Sequence, residues 1–240
     1  MQPEETSTPE EKIVIPLFEI VVYPDSRTKF QVDRATGDLL LAATTGAGTA
    51  HAVGLTVKSG TRPFELTAES LYRTGNLFHI AHVQAADDGY LICAQVMQRV
   101  RATALTEKDG RFTAVIEPVP DQQDLDEELQ DRILEDIRFT ITEIGSLFPG
   151  SEQFVKPVGR MDSIGRIMGF VMPFLPISLA EKQALLETDS VRQRSIMFLD
   201  LLLRIKEEIS IRIEMAKKLS DRVSKSNREA MLREQLKVIQ

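Results

Sequence analysis

Groups able to ionise, ligate a metal or attack a substrate are sparse in this chain and poorly spaced for joint work. His79 and His82 stand three apart in a stretch whose pattern predicts a β-strand, where an odd separation sends side chains to opposite faces. Two metal ligands must converge on one ion, so the pair reads as one histidine against the sheet and one in solvent, and His51 stands apart from both. The single cysteine, Cys93, excludes an internal disulfide and a zinc ribbon, and reads as a small core residue. Asp87-Asp88 precede Gly89 as a hairpin turn requires, and Glu127-Glu128 lie on the solvated face of a predicted helix. No serine stands in a GxSxG elbow, and there is no GxxxxGK[ST] phosphate loop, GxGxxG turn or HExxH helix. A Ser–Lys dyad stays open, with nothing to single one out. No active site is legible, so the chain is expected to act through surface and shape, with no metal or cofactor of its own.

The aromatic residues are the next groups that could do work. Phe18, Tyr23, Phe30, Phe64, Tyr72, Phe78 and Tyr90 crowd the first part of the chain. An aromatic in a strand is core by default. Phe18, which lies outside its strand beside Glu19, and Tyr90, beside a turn, are the two expected at the surface. An exposed aromatic near a sheet edge holds extended, unfolded peptide by stacking and strand addition. Phe18 and Tyr90, together with Tyr23 and Phe78 from the same aromatic group, are the candidate substrate-binding residues.

These residues need elements to position them. β-branched runs at Ile13–Leu17 and Ile20–Tyr23, and the alternation at Lys29–Val32, predict three strands. Asp33 is a fair cap for a short helix through Leu39–Ala42, which Gly46-Ala47-Gly48 should break. Ala52–Val57, Asn76–Ala85, Tyr90–Val100 and Phe112–Val119 predict further strands, with turns at Asp87-Asp88-Gly89 and Lys108-Asp109-Gly110. Many short strands with one small helix imply a closed or strongly curled sheet. After Pro120 the period changes. Leu125, Leu129, Ile133, Ile137 and Ile141 share one helical face, with Asp124 and the glutamates after it in the first turn; Pro149-Gly150 stops that helix. A second helix starts near Met161, Ser178 opens a third over Leu179–Glu187, and Asp189 or Ser190 caps a last one. The fold class is thus α+β. Residues 1–12 read as a disordered tail, 13–120 as a β domain, 121–188 as a helical subdomain and 189–240 as one long helix.

That last stretch holds no glycine or proline and repeats apolar residues at three- and four-residue steps, from Ile196 and Leu199 to Leu219 and Val223, then Leu232, Leu236 and Ile239. It also ends without a stop signal, so the chain is read as stopping in mid-element. The seam is not a clean heptad, since Asn227 and Glu234 fall where apolar residues are due, and weak self-association is expected. The net charge of −7 is uneven: from Arg204 onward ten basic residues face six acidic ones, leaving 19 and 30 for the rest. An acidic body argues against nucleic-acid binding, which needs Lys and Arg on phosphates. No apolar run is long enough to span a bilayer, and the acidic start is the opposite of a signal peptide. A cytoplasmic setting is expected.

Four motifs in order now carry a resemblance. Ile15-Pro16-Leu17-Phe18-Glu19-Ile20-Val21-Val22-Tyr23-Pro24, the hairpin from Thr74-Gly75-Asn76 through Asp88-Gly89 with Val96-Met97-Gln98-Arg99-Val100, the helix Lys182-Gln183-Ala184-Leu185-Leu186-Glu187, and Ser224–Glu229 followed by Leu232–Gln240 resemble the N-terminal region of the Lon ATP-dependent proteases. The resemblance covers nearly the whole chain. It implies a PUA-like β domain, a helical subdomain and a long helix leading into an AAA+ ATPase and a Ser–Lys protease domain, neither of which lies in these 240 residues. ATP and magnesium would belong to those modules, no catalytic residue carries over, and the chain is expected to be non-catalytic. The implied function is capture of unfolded or degron-bearing proteins, delivery to the ATPase ring and support of a hexamer, with Arg228, Leu232, Gln235, Leu236 and Ile239 as the inter-domain and assembly residues. Phe18 stands where the family has Arg, Asp25 where it has Gly, and Ala230-Met231 replace an aromatic pair. Two other classes stay in view: a stand-alone PUA-like binding protein with an RNA or protein ligand, and a purely structural assembly segment.

Overall fold

The computed structural model describes residues 11–47 and 50–239, with side chains given except at 45–47, 224, 226, 227 and 230–239. The tail expected at 1–12 falls outside the described residues up to position 10. Among the described residues six strands form one sheet: β1 (Lys12–Leu17), β2 (Arg27–Val32), β3 (Ala50–Thr56), β4 (Thr74–Ala86), β5 (Gly89–Lys108) and β6 (Arg111–Pro118). The helices are α1 (Arg34–Ala47), α2 (Glu127–Ser146), α3 (Glu152–Val158), α4 (Ile164–Val171), α5 (Leu179–Glu187) and α6 (Val191–Ile239). The architecture is α+β, and the chain packs as two units: Met1–Gln130 with Met161–Ser195, and Asp131–Arg160 with Ile196–Gln240.

In the first unit the strand order is β2-β5-β4-β3-β1-β6, and β6 pairs back onto β5 to close the sheet on itself. β5 makes this closure possible because it is 20 residues long. Its first part pairs with β2 (Val32↔Tyr90 to Arg27↔Gln95) and its last part with β6 (Val100↔Pro118 to Lys108↔Arg111). Register shifts at Leu77/Phe78, Ile80/His82 and Ala102/Ala104 mark the bulges that bend the strands round. β1 and β3 run parallel at the centre and are apolar almost throughout because both of their faces are covered. Val14, Val53 and Leu55 join one buried cluster, while Ile15, Leu17 and Ala52 join another with Phe78.

Ile20–Tyr23, predicted as a strand, is not one: a turn with Glu19 at φ 56° leads the chain out of the ladder after Leu17. Side chains replace the missing strand partner. Asn76 Nδ2 donates to the Val22 carbonyl (2.8 Å) and Thr56 Oγ1 to that of Ile20 (3.2 Å). β-branching reported burial here, because Val21, Val22 and Tyr23 are all buried. α1 is capped by Asp33, which accepts from the Thr36 amide (2.8 Å), and it continues past Gly46 to Ala47.

The residues from Met161 to Ser195 group with the sheet through polar ties that local pattern does not reveal. Arg99, on β5 and 2% exposed at its side chain, donates to Asp121 (2.8 Å) and Asp189 (2.9 Å) and to the carbonyls of Leu186 (3.0 Å) and Thr188 (3.2 Å). Gln183 Nε2 reaches the Thr74 carbonyl at 2.9 Å, and the Tyr23 hydroxyl reaches that of Lys182 at 2.7 Å. Ser178 and Glu181 form a reciprocal capping box at the start of α5, and Ser190 caps α6 by accepting from the Gln193 amide (2.9 Å). Asp124, expected in the first turn of α2, instead binds the start of α6, accepting from the Arg192 amide (2.9 Å) and the Ser190 hydroxyl (2.6 Å); Asp126 caps α2 through the Leu129 amide (2.9 Å).

Burial pushes the Asp121 carboxyl upward, but the Arg194 and Arg99 guanidiniums more than offset this and hold it below the ordinary value of 3.8. A carboxyl lowered on folding adds stability that is complete above its unfolded value and is lost as pH falls through its folded value. Asp121→Asn is therefore expected to be less stable than wild type at neutral pH and to lose less stability on acidification. Circular dichroism at fixed urea from about pH 6 down to about pH 2 would read this; parallel curves for the two proteins would remove Asp121 from the acid response.

In the second unit α2 buries Ile133, Leu134, Ile137 and Ile141, and α6 buries Phe198, Leu201, Leu202 and Ile205. Lys206 on α6 bonds Glu143 on α2 at 2.9 Å. α3, which contains Pro157 and was not legible in the sequence, follows Pro149-Gly150 and sits close to Gly145, where a Cβ would meet Val155 Cγ2 at 2.4 Å. α6 has 49 residues, about 73 Å of helix, and every described side chain beyond Ile209 is exposed.

Candidate functional site

The site begins where β1 ends. The chain turns at Phe18 and at Glu19, whose φ is 56°, so the Phe18 ring stays at the surface, 39% exposed, while the residues after it go inward. Beside it lies a cleft of about 570 Å³, walled by the loop from Val57 to Pro63 and by Ile177, Leu179 and Lys182 at the start of α5. A bridge between Val57 and Leu71 and the bond from the Lys58 amide to the Ser70 carbonyl (2.8 Å) hold that loop in place. Phe18 and Pro63 also wall a second cleft of about 260 Å³, which runs between β1 (Ile15, Pro16) and β2 (Gln31, Val32). The second shares Val14, Thr36, Arg111 and Phe112 with a third, of about 390 Å³. The three form one row within the first unit.

Two open strand edges flank the middle cleft. β2 ends the sheet, and no described strand pairs with its outer side. β1 pairs with β6 only over Lys12–Val14, which leaves the same side of Ile15–Leu17 without a described partner strand. Arg27 and Lys29 put charge on the β2 edge, a device that discourages indiscriminate strand pairing.

The charge of the first cleft differs from that of the chain. Lys58, Arg62 and Lys182 line it against Glu19 alone. Lys58 Nζ donates to the Glu69 carbonyl (2.8 Å), and Arg62 lies 5.8 Å from the centroid of the Phe64 ring, itself 78% exposed. Lys182 is half-buried, has no acidic partner among the described residues, and is pulled below the usual lysine range by burial. Apolar rings, cations and open strand edges are groups that hold a ligand without chemical change. Among the described residues no three of His, Cys, Asp and Glu converge to hold a metal.

Of the four aromatics singled out by sequence, the structure leaves Phe18 at the surface and puts the other three to structural use. Phe78 has no exposure and packs against Phe30, ring centroids 5.6 Å apart. Tyr23 is buried, and loss of water raises its phenol above the usual range. Tyr90, half-buried, lies so close over Gly37 that a Cβ there would meet its ring at 2.0 Å, and its hydroxyl donates to Asp38 (2.6 Å). Tyr23, Phe78 and Tyr90 therefore do not line the cleft; each ties one element to another. His51 is not isolated: it pairs with His79 across β3 and β4, rings 5.7 Å apart. Of the assembly residues, Arg228 is exposed on α6, while the side chains of Leu232, Gln235, Leu236 and Ile239 lie outside the described residues. Phe64, an exposed ring beside the Arg62 of the first cleft, and Lys182, which lines that cleft, were not singled out as site residues. An aromatic next to Arg62-Pro63 in a connection was the available signal for the first; the second had none, because its cleft is assembled from residues more than 100 positions apart.

No described helix is long and apolar enough to cross a membrane. Residues 12–204 match the family model of the ATP-dependent protease La (LON) substrate-binding domain. The chain is 54% identical to the Lon protease of Methanosarcina barkeri over 240 residues, all of this chain and 30% of that protein. It is 33% identical to the Lon protease of Clostridium beijerinckii over 78% of this chain and 24% of that protein. It thus spans under a third of these relatives. Among solved structures it is similar to the N-terminal domain of Mycobacterium avium complex Lon protease (TM-score 0.59, 15% identity, 82% of this chain and 98% of that one). A Lon N-terminal domain protein from Xanthomonas campestris gives a TM-score of 0.52 at 18% identity, over 80% of this chain and 98% of that one.

Proposed function

This chain belongs to the Lon protease family, as its substrate-binding domain, and from that premise we propose that the row of clefts beside Phe18 captures unfolded or degron-bearing polypeptide for transfer to an ATPase ring. The observation that carries the reading is the exposed Phe18 ring shared by two adjoining clefts, next to two strand edges without described partners. An unfolded segment offers what such a groove lacks: apolar side chains for its walls and backbone groups for its edges. A folded protein has both already engaged, so the groove discriminates by availability. The helix α6 supports a hexameric parent and couples the captured chain to the ring, and the free Cys93 fits a cytoplasmic setting.

The test is fluorescence anisotropy of one labelled protein, native and then permanently unfolded, titrated with the 240-residue chain. Binding of the unfolded form only is expected, and the double change Phe18→Ser with Phe64→Ser should weaken it by about 30-fold, the effect of losing one hot spot worth about 2 kcal/mol. Both rings are exposed, so the thermal midpoint should not move. Undiminished binding by the double variant would place capture elsewhere.

A further inference from the structure

The first cleft has a charge that the reading above does not use. The chain carries −7 overall, with 30 acidic residues against 19 basic ones before Arg204, yet here three cations face one carboxylate. Fields from the rest of the acidic body fade over about 8 Å at physiological salt, so the cations in the cleft decide what is attracted there. Lys182 is the most telling of them. Half-buried and without an acidic partner among the described residues, it bears a cost that an arriving anion would relieve. Lys58, by contrast, is already engaged with the Glu69 carbonyl. Arg62, which lines the cleft, stands beside the exposed Phe64 ring outside its lining, so cation and aromatic lie side by side at the rim.

Resting on the capture reading, we infer that this cleft selects, within an unfolded polypeptide, an aspartate or glutamate lying one or two residues from an aromatic side chain. The aromatic packs on Phe18 or Phe64 and the carboxylate binds Lys182, with Arg62 at the rim. Unfolded chains are thereby ranked, and purely apolar or lysine-flanked segments bind less well.

The experiment uses the full 240-residue chain and C-terminally amidated peptides with one aromatic core, flanked by Asp and Glu, by Asn and Gln, or by Lys. The acidic peptide is expected to bind about 10-fold more tightly than the amide peptide, a difference that shrinks in high salt and disappears in Lys182→Gln. Arg62→Gln, at an exposed position, should reduce the preference and keeps the inference testable should Lys182→Gln fold poorly. Equal binding of all three peptides by wild type would overturn the charge selection and leave capture standing. Recovery of affinity by the Asn and Gln peptide with a free C-terminus would overturn it in favour of terminal carboxylates. Failure to bind both the peptides and the permanently unfolded protein would remove the capture reading itself, and the selection with it.

Discussion

Replacing Arg99 with methionine is expected to destabilise the sheet-containing unit by about 3 kcal/mol, the lower end of the cost of breaking a buried ion pair. The guanidinium donates to two carboxylates and to the carbonyls of Leu186, Thr188 and Pro120. Asp121 and Asp189 are 35% and 49% exposed at their side chains, so water regains them once the arginine is gone, which limits the loss. The carbonyls have less recourse: the bond to Leu186 is fully buried. Arg99→Lys should recover a part, since one ammonium cannot span acceptors that a planar fork reaches together. Arg101→Met, two residues along the same strand, is the control: its 3.8 Å pairing with Glu117 is half exposed on both sides and is worth well under about 1 kcal/mol. Urea midpoints at unchanged slope would measure all three. A loss below about 1 kcal/mol for Arg99→Met would mean that this buried fork does not hold the helices to the sheet.

Phe78→Ala should cost about 3–5 kcal/mol, the range for emptying a buried aromatic site. The ring is fully buried and fills the space above Gly54, where a Cβ would lie 2.3 Å from its Cζ. That geometry makes a second result distinctive. Gly54→Ala alone should cost about 1–3 kcal/mol by overpacking, yet little in the Phe78→Ala background, because the obstructing ring has gone. Additive losses in the double variant would show that Leu17, whose Cδ1 lies 3.1 Å from the same Cβ position, and not the ring, keeps a side chain out of Gly54. Phe78→Ala and the Phe18 and Phe64 changes thus separate two kinds of aromatic: one loses fold, the others lose ligand.

Most of the elements, though not α3, were legible because their causes are local. Alternation, four-residue apolar spacing, the turn at Asp87–Gly89 and the cap at Ser178 act within a few residues, and the family motifs at Arg99 and Lys182–Glu187 fall on the residues that join sheet and helices. That Phe18 would meet solvent was read from its place outside the strand, but only the tertiary structure fixed how it does so and what becomes of Tyr23 and Tyr90. Phe18 and Tyr23 sit five apart in one β-branched run, and only the positive φ at Glu19 and the bond from Tyr23 to Lys182, 159 residues away, send one out and the other in. It likewise turned Ile20–Tyr23 from a strand into a buried connection, moved Asp124 from α2 to α6, and brought Lys182 to the loop at Lys58–Pro63. The physical reason is common to all of these: propensity and caps depend on neighbours in the chain, whereas burial and charge environment depend on whatever distant segment closes over a residue.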